Sequence, residues 1–172
     1  PDYAVRGRAM AHYAVRRLGY SSLAVLASGE PMGKALAESF IAEATSLGAT
    51  IVDTLYYPKG VSDFREQFIG LRTAALAQAG QADKPDDLEV PINSIQGIFI
   101  PVAGSDEIGV IAAQMKYFNV NTQLLGSSEW NDGLQLDEHK RYLNGAIFTG
   151  DSFLDGDDSL SSRFLAAYLA SA

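Results

Sequence analysis

The segment from Ser22 to Gly48 limits the possible folds more than any other part of the chain. It opens with a short apolar run, Leu23-Ala24-Val25-Leu26-Ala27, and passes through a polar turn, Ser28-Gly29-Glu30-Pro31-Met32-Gly33. Beyond the turn, Leu36, Phe40, Ala44 and Leu47 share one face, because apolar residues at three- and four-residue steps mark an amphipathic helix. Pro31 suits the first turn of that helix, where its missing N–H costs nothing. Gly48 stands where a left-handed cap belongs. The unit reads strand, loop, helix.

The rest of the chain repeats this unit. Residues 4–18 read as a helix with Asp2 as its N-cap, Gly19 just past its end, and Ala4, Ala11, Val15 and Leu18 along one face. Residues 50–57 form a second strand, rich in β-branched and aromatic residues. Asp53 and Thr54 interrupt it, which places it at a sheet edge, since a strand buried on both faces is more uniformly apolar. Ser62 or Asp63 then caps a helix whose stripe is Phe64, Phe68, Leu71 and Ala75, ending at Gly80. Residues 81–94 hold Pro85, Pro91 and the Asp86-Asp87 pair and read as a long exposed loop. Residues 95–102, nearly all apolar, read as a central strand.

A further helix opens at Gly104-Ser105, with Asp106 and Glu107 complementing its dipole and Ile108, Ile111, Met115 and Phe118 as its buried stripe. Strands follow at 122–126 and 145–149, separated by the Asn131-Asp132-Gly133 turn signal and a short polar helix near 137–142. A loop over 151–158 leads into a last helix carrying Leu160, Phe164 and Tyr168. Five strands alternating with helices imply an α/β fold, a three-layer αβα arrangement around a five-stranded parallel sheet of the Rossmann or flavodoxin kind. Ligands bind such sheets outside the carboxyl ends of the strands. The functional surface is therefore expected at residues 28–33, 57–62, 103–106, 127–132 and 150–153.

With 172 residues, the chain makes one domain with a sizeable core. The net charge of −8 and the scattered basic residues argue against nucleic acid, which needs clustered Lys and Arg. No window approaches the roughly 20 apolar residues of a membrane span. The chain contains no cysteine, so disulfides and thiolate-bound metals are excluded. Opening at Pro1-Asp2-Tyr3, without a start methionine or a basic-then-apolar leader, it is expected to be an excised piece.

Local motifs point to no catalysis. Gly29-Glu30-Pro31-Met32-Gly33-Lys34 resembles a phosphate-binding P-loop, yet only three residues separate its glycines and Ala35 cannot ligate magnesium. No dinucleotide fingerprint accompanies any strand, so no cofactor is expected. A phosphoacceptor receiver shares this βα layout, but the third strand ends in Ile100-Pro101-Val102-Ala103 and lacks the aspartate that chemistry requires. His12 and His139 are the only histidines, and both fall in helices away from the strand carboxyl ends, where no serine nucleophile could use them. Asp155, Asp157 and Asp158 lack the spacing of a calcium loop, and no metal site is expected. Trp130, the sole tryptophan, follows the fourth strand on the ligand side; it is either a packing residue under a loop or an aromatic wall or partner contact.

The ordered set Gly7-Arg8-Ala9-Met10-Ala11-His12-Tyr13-Ala14, Leu18-Gly19-Tyr20, Leu23-Ala24-Val25-Leu26, Met32-Gly33-Lys34-Ala35, Gly48-Ala49, Asp63-Phe64, Ile98-Phe99-Ile100, Leu125-Gly126-Ser127 and Gly145-Ala146-Ile147-Phe148 resembles one lobe of a type I periplasmic binding protein of the branched-chain amino-acid class. The resemblance covers nearly the whole chain. It implies a non-catalytic, extracytoplasmic solute receptor of an ABC-type transport system, periplasmic or extracellular, with lipoprotein anchoring among the expectations. Two such lobes close over a small ligand such as an amino acid, and residues 1–172 would be the second lobe, with 81–94 as an inserted loop. A membrane permease or an envelope protein would be its partner.

In that family, aromatic residues of this lobe line the cleft; the matching places here hold Met32 and Gly104-Ser105, and an acidic residue meeting the ligand's amino group would fall at Ser128 or Glu129. With Ser28, Glu30 and Trp130 these make up the candidate ligand-binding residues. The alternative is an envelope regulatory module with the same fold, similar to the lipoproteins that activate peptidoglycan synthases, in which Trp130, Tyr57 and the acidic loop form a contact surface.

Overall fold

The computed structural model describes residues 2–81 and 84–150. The expected loop at 151–158 and the last helix, with Leu160, Phe164 and Tyr168, lie outside the described residues. Helices α1 (Tyr3–His12), α2 (Pro31–Ser46), α3 (Arg65–Gln78) and α4 (Ile108–Tyr117) alternate with strands β1 (Ser22–Ser28), β2 (Thr50–Tyr57), β3 (Gly97–Ile100), β4 (Gln123–Gly126) and β5 (Ile147–Phe148). Two short helices, α5 (Gly133–Glu138) and α6 (Lys140–Leu143), sit between β4 and β5. The break between them at His139 replaces the single short helix expected near 137–142. No helix among the described residues is long and apolar enough to cross a membrane.

All four strand pairings are parallel, in the order β2-β1-β3-β4-β5. The interrupted strand is at the edge and the uniformly apolar one is central, as the sequence requires. Successive side chains of a strand point to opposite faces. On β1, Leu23, Val25 and Ala27 meet Met10, Ala11, Leu36, Phe40 and Ala44 of α1 and α2. Ala24 and Leu26 join the opposite core with Phe64, Phe68 and Leu71 from α3 and Ile108 and Ile111 from α4.

The helix stripes expected for α2, α3 and α4 are buried, apart from Leu47, which is half-buried. Gly48 follows α2 at φ +92°, the left-handed cap the sequence called for. In α1, Asp2 caps as expected, its Oδ1 accepting from Ala4 N at 3.0 Å and Val5 N at 3.3 Å. The buried face of the N-terminal helix differs. Its last stretch, Tyr13–Arg17, widens into a π-helical turn, and Gly7, Met10, Ala11 and Ala14 face the core, leaving Ala4, Val15 and Leu18 half-buried.

One further expectation is met and one needs correction. Phe64 occupies the position just before α3, and Asp63 Oδ1 accepts from the first helical amide, Arg65 N, at 2.9 Å, so of the two expected residues Asp63 is the one that caps. The Gln114 carboxamide also reaches across from α4, accepting from Phe64 N at 2.8 Å and donating to Ser62 O at 2.7 Å. Residues 84–94 of the expected loop are irregular but not simply exposed. Arg72, fully buried on α3, donates to the carbonyls of Pro85 (2.8 Å), Asp87 (2.6 Å), Val90 (2.9 Å) and Phe118 (2.8 Å). Ile92 is then buried and bridges Val120 in parallel, which sews the segment to the end of α4.

Candidate functional site

The carboxyl ends of the five strands share one edge of the sheet, and the loops leaving them are bound to one another. Ser28 N donates to Pro101 O at 3.0 Å, and Gly29 N to Tyr57 O at 2.8 Å. Tyr57, at the end of β2, is 1% exposed, and its hydroxyl donates to Glu107 Oε2 at 2.6 Å. The same oxygen accepts from Ala103 N at 3.0 Å, so Glu107 braces the whole β3–α4 loop from below. Burial, and next the neighbouring Glu107 carboxylate, push the Tyr57 hydroxyl far above the usual tyrosine range.

On its other side that loop is held by Ser105, whose Oγ donates to Asp132 Oδ2 at 2.7 Å. Asp132 Oδ1 accepts from Leu134 N and Gln135 N and so caps α5. The Ser105 hydroxyl first, and then these backbone N–H groups, hold the Asp132 carboxyl below its ordinary value.

Among the expected site residues, Ser28 is fully buried, its Oγ accepting from Glu30 N at 3.2 Å, so it shapes the turn from beneath. Glu30 is exposed and Met32 half-buried at the start of α2. Gly104 and Ser105 are half-buried after β3. Ser128 is nearly buried; its Oγ accepts from Arg6 Nη1 at 2.8 Å and lies 3.4 Å from Glu129 Oε1. Glu129 is half-buried, and its Oε2 has no hydrogen-bond partner among the described residues.

Trp130 resolves to the packing alternative. Its side chain is fully buried, and its indole N–H donates to Ile100 O at 2.8 Å. It lies flat on Gly126, where an added Cβ would stand 2.4 Å from the ring, so only glycine fits there. The burial of Trp130 and Tyr57 removes both from any contact surface.

The edge thus presents Glu30, Met32, Gly104, Ser105 and Glu129 over a floor of Ser28, Tyr57, Glu107 and Trp130. An open groove of about 640 Å³ flanks it between the ends of β1 and β2, with Glu30, Lys34, Tyr56 and Lys59 along its sides. Sequence reasoning did not single out Arg6 or Glu107 as site residues, and it placed Tyr57 and Asp132 in the functional surface without their partners. Asp132 lay within a recognisable turn signal, whereas the roles of Arg6, Tyr57 and Glu107 depend on contacts across 50 or more positions. His12 ends α1, and His139 lies between α5 and α6 against Gly109 in the first turn of α4.

The fold matches known structures. The leucine-binding protein LivK of Thermotoga maritima superposes with a TM-score of 0.66 at 19% identity, covering 96% of this chain and 42% of that one. An ABC-transporter solute-binding protein from R. palustris in complex with benzoate gives 0.66 at 13% identity, with 98% and 41% covered. LivJ of Streptococcus pneumoniae, in complex with isoleucine, gives 0.61 at 16% identity, with 98% and 43% covered. The chain spans about two fifths of the length of these structures. Comparison with curated proteins returns no significant match. The sequence matches a family of binding proteins, not of enzymes, described as periplasmic binding protein, over residues 1–172. Ordered motifs, parallel sheet and full-length match agree: the chain belongs to the periplasmic binding protein family.

Proposed function

We propose that this chain is one lobe of an extracytoplasmic solute receptor serving an ABC-type transporter, and that its carboxyl edge is one wall of a ligand cleft. The observation that carries the reading is the carboxyl edge itself. Three adjacent parallel strands, β1, β3 and β4, deliver Glu30, Met32, Gly104, Ser105 and Glu129, all at least partly exposed, to a single side of the sheet. Those groups suit a small polar molecule such as an amino acid: side chains at the strand ends meet its charged groups, and closure of a second lobe supplies the rest. The solved relatives, described as a leucine-binding protein and as complexes with isoleucine and benzoate, support a small organic ligand.

The envelope-module alternative keeps less support, since Trp130 and Tyr57 are buried and Arg72 pins the acidic loop. The test is a thermal-shift screen of the two-lobed protein against amino acids and aromatic acids. A ligand that binds only the folded state raises the apparent melting temperature by mass action. A saturable rise with one chemical class is expected; no rise with any of them contradicts the reading.

A further inference from the structure

Among the described residues β2 is an outer strand, paired with β1 alone. Such a strand turns alternate N–H and C=O groups away from its partner, and that row is a template for another strand. The pairing identifies the outward residues. Gly29 N donates to Tyr57 O, so Tyr57 faces β1, and alternation makes Tyr56 and Thr54 face away. In both, an outward group is already taken by a side chain of the protein. Thr54 N donates to Asp53 Oδ1 at 2.8 Å, and Tyr56 O accepts from Gln67 Nε2, reaching over from α3, at 3.3 Å.

Neither polar side chain is where packing would put it. Asp53 interrupts an apolar strand. Gln67 is 8% exposed, and its Oε1 has no partner among the described residues, so its burial is costly unless the Nε2 contact matters. A strand arriving at this edge would bring a carbonyl towards Thr54 N–H and find a carboxylate in place. The ladder is also irregular at the same point, with a register shift between Leu23 and Val25. Shifts of this kind increase local twist and so spoil an edge for pairing. A second copy of this chain would also carry the same charge of −8.

We propose that Asp53 and Gln67 close the β2 edge to strand addition by a second copy of this chain. The inference does not depend on the receptor reading and goes beyond it. Asp53→Val and Gln67→Met, singly and together, test it in this chain, with circular dichroism as the check on folding. Sedimentation velocity is expected to show the double variant self-associating at concentrations ~10-fold or more below those needed by the parent chain. Hydrogen exchange at the Thr54 amide is expected to be faster in Asp53→Val than in the parent.

Asp53→Asn, which keeps an oxygen for Thr54 N–H, should stay at the parent level of association; association equal to that of Asp53→Val overturns the capping assignment. If Asp53→Val fails to fold, Gln67→Met alone carries the same expectation. Folded variants that associate no more readily than the parent overturn the proposal.

Discussion

The hydroxyl of Tyr57 donates a 2.6 Å hydrogen bond to the carboxylate of Glu107 and ties the end of the edge strand to the start of α4, with β1 and β3 between. Both residues are almost fully buried. Tyr57→Phe strips a donor from a buried carboxylate, which should cost about 1.5–3 kcal/mol of stability in urea denaturation. Its pH dependence is specific. Because the folded-state value of Tyr57 is raised, its contribution is complete below the ordinary tyrosine value of 10.0 and declines as pH climbs above it. The parent chain should lose stability over that alkaline range faster than Tyr57→Phe does.

Asp132 behaves in the opposite sense. Its folded-state value is lowered, first by the Ser105 hydroxyl, so its contribution is present above the ordinary carboxylate value of 3.8 and fades as pH falls below it. Asp132→Ala should be less stable than the parent at neutral pH. The gap between the two, followed by thermal melts, should narrow below that value. A constant gap would mean that the cap and the Ser105 link act without the charge.

Arg72 holds four backbone carbonyls, from Pro85, Asp87, Val90 and Phe118. Arg72→Met leaves those acceptors without their donor and should cost at least ~3 kcal/mol, because each buried unsatisfied group costs about 1–3 kcal/mol. Limited proteolysis should then cut first within residues 84–95. Arg72→Lys should rescue little, since an ammonium cannot reproduce the planar fork.

These cases mark how far the sequence could be read. The strand order was legible because burial on both faces demands an unbroken apolar run, which β3 has and β2, with Asp53 and Thr54, lacks. The carboxyl edge followed from parallel topology. Arg72 was not legible: on α3 it looks like part of a polar face, and hydrogen bonds to backbone carbonyls leave no trace in residue types. The clamp that Gln114 adds before α3 was hidden for the same reason, lying 50 positions from Phe64. Trp130 was left with two readings because position after a strand does not reveal which way a ring turns. The contact with Gly126 and the bond to Ile100 O decide it.

Trp130 also supplies a probe, as the sole tryptophan. Its emission should be blue-shifted in the folded chain. Gly126→Ala forces a methyl against the indole and should cost about 1–3 kcal/mol by overpacking, with emission moving to the red. An unchanged spectrum and stability would show that the ring does not rest on Gly126.

The central claim is that the carboxyl edge is only half of a cleft. Titration calorimetry of this chain alone, against whichever compound stabilises the two-lobed protein, tests it most directly. Affinity ~100-fold or more weaker than that of the two-lobed protein is expected, since one wall supplies only part of the contacts. Equal affinity in the single lobe would contradict the account.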